Sequence, residues 1–197
     1  MASGVRILAF SGSLRADSWN HRVVERAADS ARESGAEVTV LRLRDHPLPV
    51  YDGDLEQEEG LPPQAVQLKS LFREHDGFLI ASPEYNGSYS GALKNAVDWI
   101  SRPQEGYPGL DCFQGKVAGL LSCSPGRLGG IRGLPHLRQL LTGIGTMVLA
   151  RQIAIPLITD ELSDDGPFRT EGIRQGVDRL GLELVEIITA MKSSSSS

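Results

Sequence analysis

The amino-acid sequence predicts a single α/β domain, in which helices cover both faces of a five-stranded parallel sheet. Apolar runs of strand length alternate along the chain with longer segments of helical periodicity. Several of the runs are apolar almost throughout, which is typical of strands buried on both faces. The 197 residues suffice for one sizeable core and contain no linker-like segment between two cores.

The predicted elements alternate in strict order. The strands lie at residues 5–10, 37–43, 77–82, 116–123 and 146–153, and the first, third and fourth are expected to be buried on both faces. The helices lie at residues 20–34, 64–74, 91–101, 131–144 and 171–191. Right-handed crossovers between parallel strands then give a doubly wound domain.

Two segments interrupt this alternation. Residues 45–63 are rich in proline and acidic residues and predict an irregular excursion, either a solvated loop or a wall of a site or partner surface. Residues 193–197 are all serine and predict a flexible tail, so the domain is expected to span residues 1–192.

Composition excludes several functional classes. The net charge is −5 and basic residues are scattered among acids, which disfavours a nucleic-acid partner. No apolar run approaches the roughly 20 residues that cross a bilayer, and no cleavage signal precedes the first strand, so we expect a cytoplasmic protein without membrane contact.

Cys112 and Cys123 are too few for a disulfide framework or zinc site. We expect both reduced, with Cys123 packing as a small apolar residue rather than acting as a redox thiol.

The loop after the first strand, residues 11–20, carries hydroxyls, one arginine and one amide directly before a helix. A helix N-terminus offers unpaired amides and a positive dipole end, which together attract anions. The loop contains neither GxGxxG nor GK[ST], which disfavours a dinucleotide or Walker-type site. A single terminal phosphate, as in FMN, suits its side chains, although a simple capped turn remains the alternative. These side chains are Ser11, Ser13, Arg15, Ser18 and Asn20.

The loops after the third and fourth strands should meet the first at the carboxyl edge of the sheet, where doubly wound domains bind ligands. In the loop after the third strand, Asn86-Gly87 permits positive φ, and Tyr85 could lie against an aromatic ring. The loop after the fourth strand is rich in hydroxyls and glycine and could bring donors to the pyrimidine edge of a flavin. Ordinary turns and packing remain the alternative for both, and Trp99 on the next helix is expected to be core.

Two motifs give the sequence a specific resemblance. Residues 11–20 resemble GSLRxxSxN, and residues 83–99 resemble PEYNxSxxGxLKNAxDW, of the NADPH-dependent FMN reductase family. Ser90 stands where many relatives have proline. The resemblance implies a flavodoxin-like fold with the strand order 2-1-3-4-5. It also implies phosphate contacts from Ser13, Arg15, Ser18 and Asn20, and isoalloxazine contacts from Pro83, Glu84, Tyr85, Asn86 and Gly87. It implies a third contact set from Ser122, Ser124 and Gly126.

The resemblance also implies an oxidoreductase that passes hydride from NADPH or NADH through FMN to a small acceptor such as a quinone, free flavin, chromate or another oxidised metal. A homodimer or homotetramer with flavin near the interface is implied, with Tyr51, Asp52 and Tyr107 as candidate partner contacts or acceptor-site walls. Arg127 is a candidate second phosphate contact.

Neither a catalytic triad nor a metal site is indicated, because no histidine lies in the three loops. No general base is therefore assigned, and His21 is expected on the surface of the first helix. Two other functions remain open: a flavodoxin-like FMN electron carrier without NAD(P)H turnover, and a non-enzymatic nucleotide-binding or assembly protein.

Overall fold

The computed structural model describes residues 4–162 and 166–195, with Ser195 described by its backbone alone. The strands are β1 (Arg6–Ser11), β2 (Glu37–Arg42), β3 (Gly77–Ala81), β4 (Val117–Cys123) and β5 (Met147–Ile155). The helices are α1 (Trp19–Glu33), α2 (Gly53–Glu59), α3 (Pro63–Glu74), α4 (Gly91–Ile100), α5 (Gly133–Gly143), α6 (Ile158–Glu161) and α7 (Glu171–Ser195).

All five strands pair in parallel, in the order β2-β1-β3-β4-β5. The predicted doubly wound, flavodoxin-like topology is therefore confirmed. The winding reverses beside β1, and the strands that follow it in the sheet are β3 and β4. Because parallel strands end at the same edge, the loops after β1, β3 and β4 lie side by side at the switch point of the sheet.

The two faces of each central strand pack into two separate hydrophobic cores. In β1, Ile7 and Ala9 pack under α1 and α7, whereas Leu8 and Phe10 pack under α3, α4 and α5. Such alternation follows from the two-residue period of a strand. The burial patterns confirm that β1, β3 and β4 are enclosed on both faces apart from the first residue of β1.

The segment at residues 45–63 is predicted to be irregular, but part of it forms α2. Asp52 caps the start of that helix, with its carboxylate accepting a hydrogen bond from Asp54 N at 2.9 Å, and none of the helix residues is buried. A helix without a buried face has no apolar stripe, so the periodicity of the sequence could not reveal it.

Residues 47–52, here called the strap, cross the outer face of α4. The carbonyl oxygen of Pro49 accepts hydrogen bonds from Asn95 Nδ2 at 2.8 Å and from Trp99 Nε1 at 2.9 Å. Tyr51 N donates to Asn95 Oδ1 at 2.8 Å. Trp99 is fully buried, which confirms its predicted place in the core.

The last helix is longer than predicted. Ser193 Oγ and Ser194 Oγ donate to the carbonyls of Thr189 and Ala190, each at 3.0 Å, so the helix extends through Ser195. The prediction of a flexible tail is wrong for these residues, and residues 196–197 lie outside the described ranges. Over residues 4–162 and 166–195, no helix is long and apolar enough to cross a membrane.

Candidate functional site

The first loop presents hydroxyl groups whose oxygens already accept backbone hydrogen bonds. Ser11 Oγ accepts from Ser13 N at 3.2 Å, and Ser13 Oγ accepts from Arg15 N at 3.3 Å. Ser18 caps α1 by accepting from His21 N at 3.2 Å. An oxygen occupied in this way leaves its hydroxyl proton to donate to an anion. Arg15 is exposed beside these groups, so the loop offers a charged donor as well.

Asn20 has a more specific environment than its sequence position suggested. Its Nδ2 donates to the carbonyl of Cys123 and its Oδ1 accepts from Cys123 N, both at 3.1 Å. Both side chains are buried. The side chain thus joins the start of α1 to the end of β4, a contact that no local sequence pattern revealed.

His21 is buried with only 5% of its surface exposed, so the prediction of a surface residue is wrong. The ring lies against the sheet side of α1, with Nε2 at 3.2 Å from Glu25 Oε1. Burial lowers the pKa of His21, although the nearby Glu25 carboxylate opposes the shift.

The second loop forms a tight turn. Tyr85 N donates to Ser88 O at 2.8 Å, and Ser88 N donates back to Tyr85 O at 3.1 Å. Between them, Asn86 and Gly87 have φ angles of 53° and 82°, as their sequence predicted. A turn with two positive φ angles suits Asn-Gly. Tyr85 at its base is half-exposed, and Pro83 before it is buried.

The carboxylate of Glu84 caps α5. It accepts from the backbone N–H groups of Arg132 at 2.9 Å and Gly133 at 3.2 Å, and from Arg132 Nε at 2.8 Å. Burial would raise the pKa of Glu84, but these hydrogen bonds outweigh it and hold the pKa below its ordinary value of 4.5. The carboxylate therefore joins the second loop to the helix that follows the third.

The third loop is pressed against the second. Ser122 Oγ donates to Ser82 O at 2.7 Å. At Gly130, a Cβ atom would lie 1.8 Å from Ser122 Oγ, and the φ angle is +85°, so only glycine is accommodated. Ser124 N donates to Ile155 O at 3.2 Å, and Gly126 O accepts from Leu157 N at 3.1 Å, which ties the loop to the end of β5.

Ser90 joins the first loop to the second. It is fully buried and caps α4, with its oxygen accepting from Leu93 N at 3.2 Å while its hydroxyl donates to the carbonyl of Gly12. Proline at this position would lack that donor. The serine in the second motif therefore makes a direct contact with the first loop.

Three residues are implied as partner contacts or acceptor-site walls, and each makes a defined contact within the chain. Tyr107 stacks on the guanidinium of Arg73 at 3.7 Å, and Arg73 precedes β3, at the edge of the sheet opposite the three loops. Tyr51 packs on Trp99 in the last turn of α4, with ring centroids 5.0 Å apart. Asp52 caps α2. Their assignment as partner contacts or acceptor-site walls stays a prediction.

Both cysteines are buried free thiols, and burial raises the pKa of each. A high pKa disfavours the reactive thiolate, so Cys123 packs as predicted for a small apolar residue. Within residues 4–162 and 166–195, no group of three or more histidine, cysteine or acidic side chains could hold a metal ion.

The sheet order, together with ligand-type loops at its switch point, defines the flavodoxin-like class of α/β proteins. The sequence profile of the NADPH-dependent FMN reductase family matches residues 5–160. The chain belongs to that family.

Individual relatives agree with this placement. The chain is 37% identical to a quinone reductase of Escherichia coli K12 over 150 residues, which cover 76% of each chain. It is 38% identical to a probable NADPH:quinone oxidoreductase of rice, over 68% of this chain and 63% of that protein. The structure superimposes on FerB, a flavoenzyme NAD(P)H:(acceptor) oxidoreductase from Paracoccus denitrificans, with a TM-score of 0.80, 28% identity, and coverage of 94% and 98%.

Proposed function

We propose that this protein is an FMN-dependent oxidoreductase that transfers hydride from NAD(P)H through bound FMN to a small-molecule acceptor. The observation that carries the proposal is the contact of three loops at one edge of the sheet: a hydroxyl-rich loop at the N-terminus of α1, an Asn86-Gly87 turn, and a glycine-rich loop after β4. Family membership and the named activities of the relatives support it.

The first loop has the chemistry that a terminal phosphate requires. Its hydroxyl protons, the backbone amides of Trp19 and Asn20 at the start of α1 and the guanidinium of Arg15 are all donors, and no carboxylate of the loop takes part in its hydrogen bonds. We assign phosphate binding to Ser11, Ser13, Arg15 and Ser18, with Asn20 treated separately below.

The second and third loops would hold the isoalloxazine ring. The half-exposed Tyr85 offers a flat face, and the turn offers backbone groups at Asn86 and Gly87. Because the carboxylate of Glu84 is committed to α5, we assign its ring contact, and that of Pro83, to the backbone. We assign the pyrimidine edge to Ser122, Ser124 and Gly126.

When bound, FMN supplies the redox chemistry by accepting hydride and passing electrons to a second substrate. The residues of this chain bind and orient it, and no side chain is assigned as a general base. Three further proposals accompany this function. The acceptor is a quinone, free flavin or oxidised metal such as chromate. The chain forms one cytoplasmic domain, which includes α7 through Ser195 rather than ending at residue 192. The protein assembles as a homodimer or homotetramer, with Tyr107 available to a partner.

The decisive experiment is anaerobic reduction of the FMN-loaded protein. Addition of NADPH or NADH should bleach the visible flavin absorption, and subsequent addition of a quinone should restore it. If neither nicotinamide reduces the flavin while dithionite does, the protein is an electron carrier and the proposed activity is wrong. If FMN itself does not bind, the flavoprotein assignment is wrong.

Steady-state rates identify the acceptor class. Both nicotinamides would be tested against a quinone, free FMN, ferricyanide and chromate, on protein of measured flavin content. The ratio of kcat/KM values between NADPH and NADH then gives the donor preference, and Arg127→Ala tests the second phosphate contact. If the ratio falls towards one in the variant while the FMN content is unchanged, the result supports a role for Arg127 in NADPH binding.

A further inference from the structure

The sheet order separates the first and third loops. β3 lies between β1 and β4, so no ladder hydrogen bond can join the end of β1 to the end of β4. Neighbouring loops are joined directly: Ser90 joins the first to the second, and Glu84 joins the second to the helix after the third. A contact from the first loop to the third must instead pass across the end of β3.

Asn20 makes that contact. Its carboxamide presents one donor and one acceptor to the carbonyl and N–H of Cys123, in the same reciprocal pattern that two peptide groups adopt. The pairing also fixes the orientation of the amide, since the reverse assignment would set oxygen against oxygen. With 6% of Asn20 and 2% of Cys123 exposed, water cannot readily replace either hydrogen bond.

Cys123 is the last residue of β4, directly before Ser124 and the third loop. Asn20 is the second residue of α1, directly after the phosphate-type loop. The two hydrogen bonds therefore fix the separation between the loop assigned to the phosphate and the loop assigned to the pyrimidine edge. In FMN the ribityl chain and part of the ring lie between the phosphate and the pyrimidine edge, so the separation of the two loops must match that span.

We propose that Asn20 is a positioning residue, which holds the third loop at the correct distance from the phosphate loop. It acts on the ring end of the flavin, through Cys123, rather than as a direct phosphate ligand. This inference rests on the proposed function for its ligand, whereas the pairing of Asn20 with Cys123 is a contact within the chain.

Riboflavin separates the two roles, because it contains the ring and ribityl chain of FMN but no phosphate. Apoprotein would be titrated with FMN and with riboflavin, and binding followed by quenching of flavin fluorescence. We expect Asn20→Ala to weaken both flavins by the same factor, about tenfold. The matched control is Arg15→Ala, at an exposed residue of the same loop, which should weaken FMN and leave riboflavin unchanged. A loss confined to FMN in Asn20→Ala, or no loss for either flavin, would overturn the proposal.

Amide hydrogen exchange tests the pairing without any flavin. In ligand-free Asn20→Ala, exchange at Cys123 N–H should accelerate about tenfold, because its acceptor is gone, while Arg15→Ala leaves it unchanged. An unchanged rate contradicts the proposal. If the wild type binds neither flavin, the proposed function fails, and exchange at Cys123 still decides whether Asn20 holds the third loop.

A second variant keeps the proposal testable if Asn20→Ala folds poorly. Asn20→Asp has nearly the same shape and keeps the acceptor for Cys123 N, but it loses the donor to Cys123 O. We expect weaker riboflavin binding in this variant too. Unchanged riboflavin affinity would show that the ring end of the flavin is unaffected and would overturn the proposal.

Discussion

Glu84 holds Arg132 from two directions, through the backbone N–H at 2.9 Å and through Nε at 2.8 Å. Only 8% of the Glu84 side chain is exposed, whereas 62% of the Arg132 side chain is. The enclosed carboxylate is thus the fixed member of the pair, and Arg132 closes over it from solvent.

Replacement of Glu84 by glutamine should destabilise the protein by about 1–2 kcal/mol at pH 7, because charged hydrogen bonds become neutral ones. The folded-state pKa of Glu84 is lowered, so its stabilisation is present above about pH 4.5 and is lost as the pH falls through the lower folded value. Urea unfolding of both proteins between pH 7 and about pH 3 would measure this. Glu58→Gln, at an exposed carboxylate, is the control and should change stability by less than about 0.5 kcal/mol. A difference in unfolding free energy between the wild type and Glu84→Gln that does not shrink as the pH falls would contradict the assigned role.

Replacement of Arg15 by alanine should weaken FMN binding by roughly 1.5–3 kcal/mol, the range for hydrogen bonds to a charged group. The loss should shrink as salt is added, since the guanidinium is exposed and its charge is screened. Calorimetric or fluorescence titration of apoprotein with FMN at two ionic strengths provides the measurement. An unchanged affinity removes Arg15 from the site.

Replacement of Gly130 by alanine should destabilise the protein by at least about 2 kcal/mol, through both the positive φ angle and overlap with Ser122. Gly126→Ala, in the same loop, is the matched control. Its added Cβ would meet only Ser124 Oγ, at 3.6 Å, so stability should change little. Thermal or urea unfolding compares the two, and similar values would show that the loop relaxes around the added methyl group.

Replacement of Lys69 by methionine should cost about 2–4 kcal/mol of unfolding free energy. The fully buried Nζ donates to the carbonyls of Ile100 and Arg102, at 2.8 and 2.6 Å, and lies 3.6 Å from Asp111 Oδ1. Lys94→Met, which removes a surface pair with Asp98, should cost less than about 1 kcal/mol. Equal losses of unfolding free energy in the two variants, measured by urea unfolding, would contradict the role assigned to Lys69.

The sheet could be predicted because its signals are local. Continuous apolar runs such as Phe78-Leu79-Ile80, bounded by glycine, serine and proline, define strands wherever the chain later places them. The Asn86-Gly87 turn is local in the same sense, since two residues determine its φ angles.

What escaped prediction depends on partners distant in sequence. Asn20 and Cys123 are 103 residues apart, and Glu84 and Arg132 are 48 apart. Nothing near Glu84 indicates that its carboxylate caps a helix beginning after the next strand. His21 was assigned to the surface because one turn of helix does not reveal which side faces the sheet. These contacts arise only when the sheet order sets the loops side by side.

The strap gives part of the second motif a purpose separate from redox chemistry. Asn95 and Trp99 direct their side-chain polar atoms to the strap at Pro49 and Tyr51. Their hydrogen bonds hold residues 47–52 against α4 and are contacts within the chain. The N and W of the motif LKNAxDW therefore serve the scaffold, and their presence alone does not indicate the capacity to reduce a substrate.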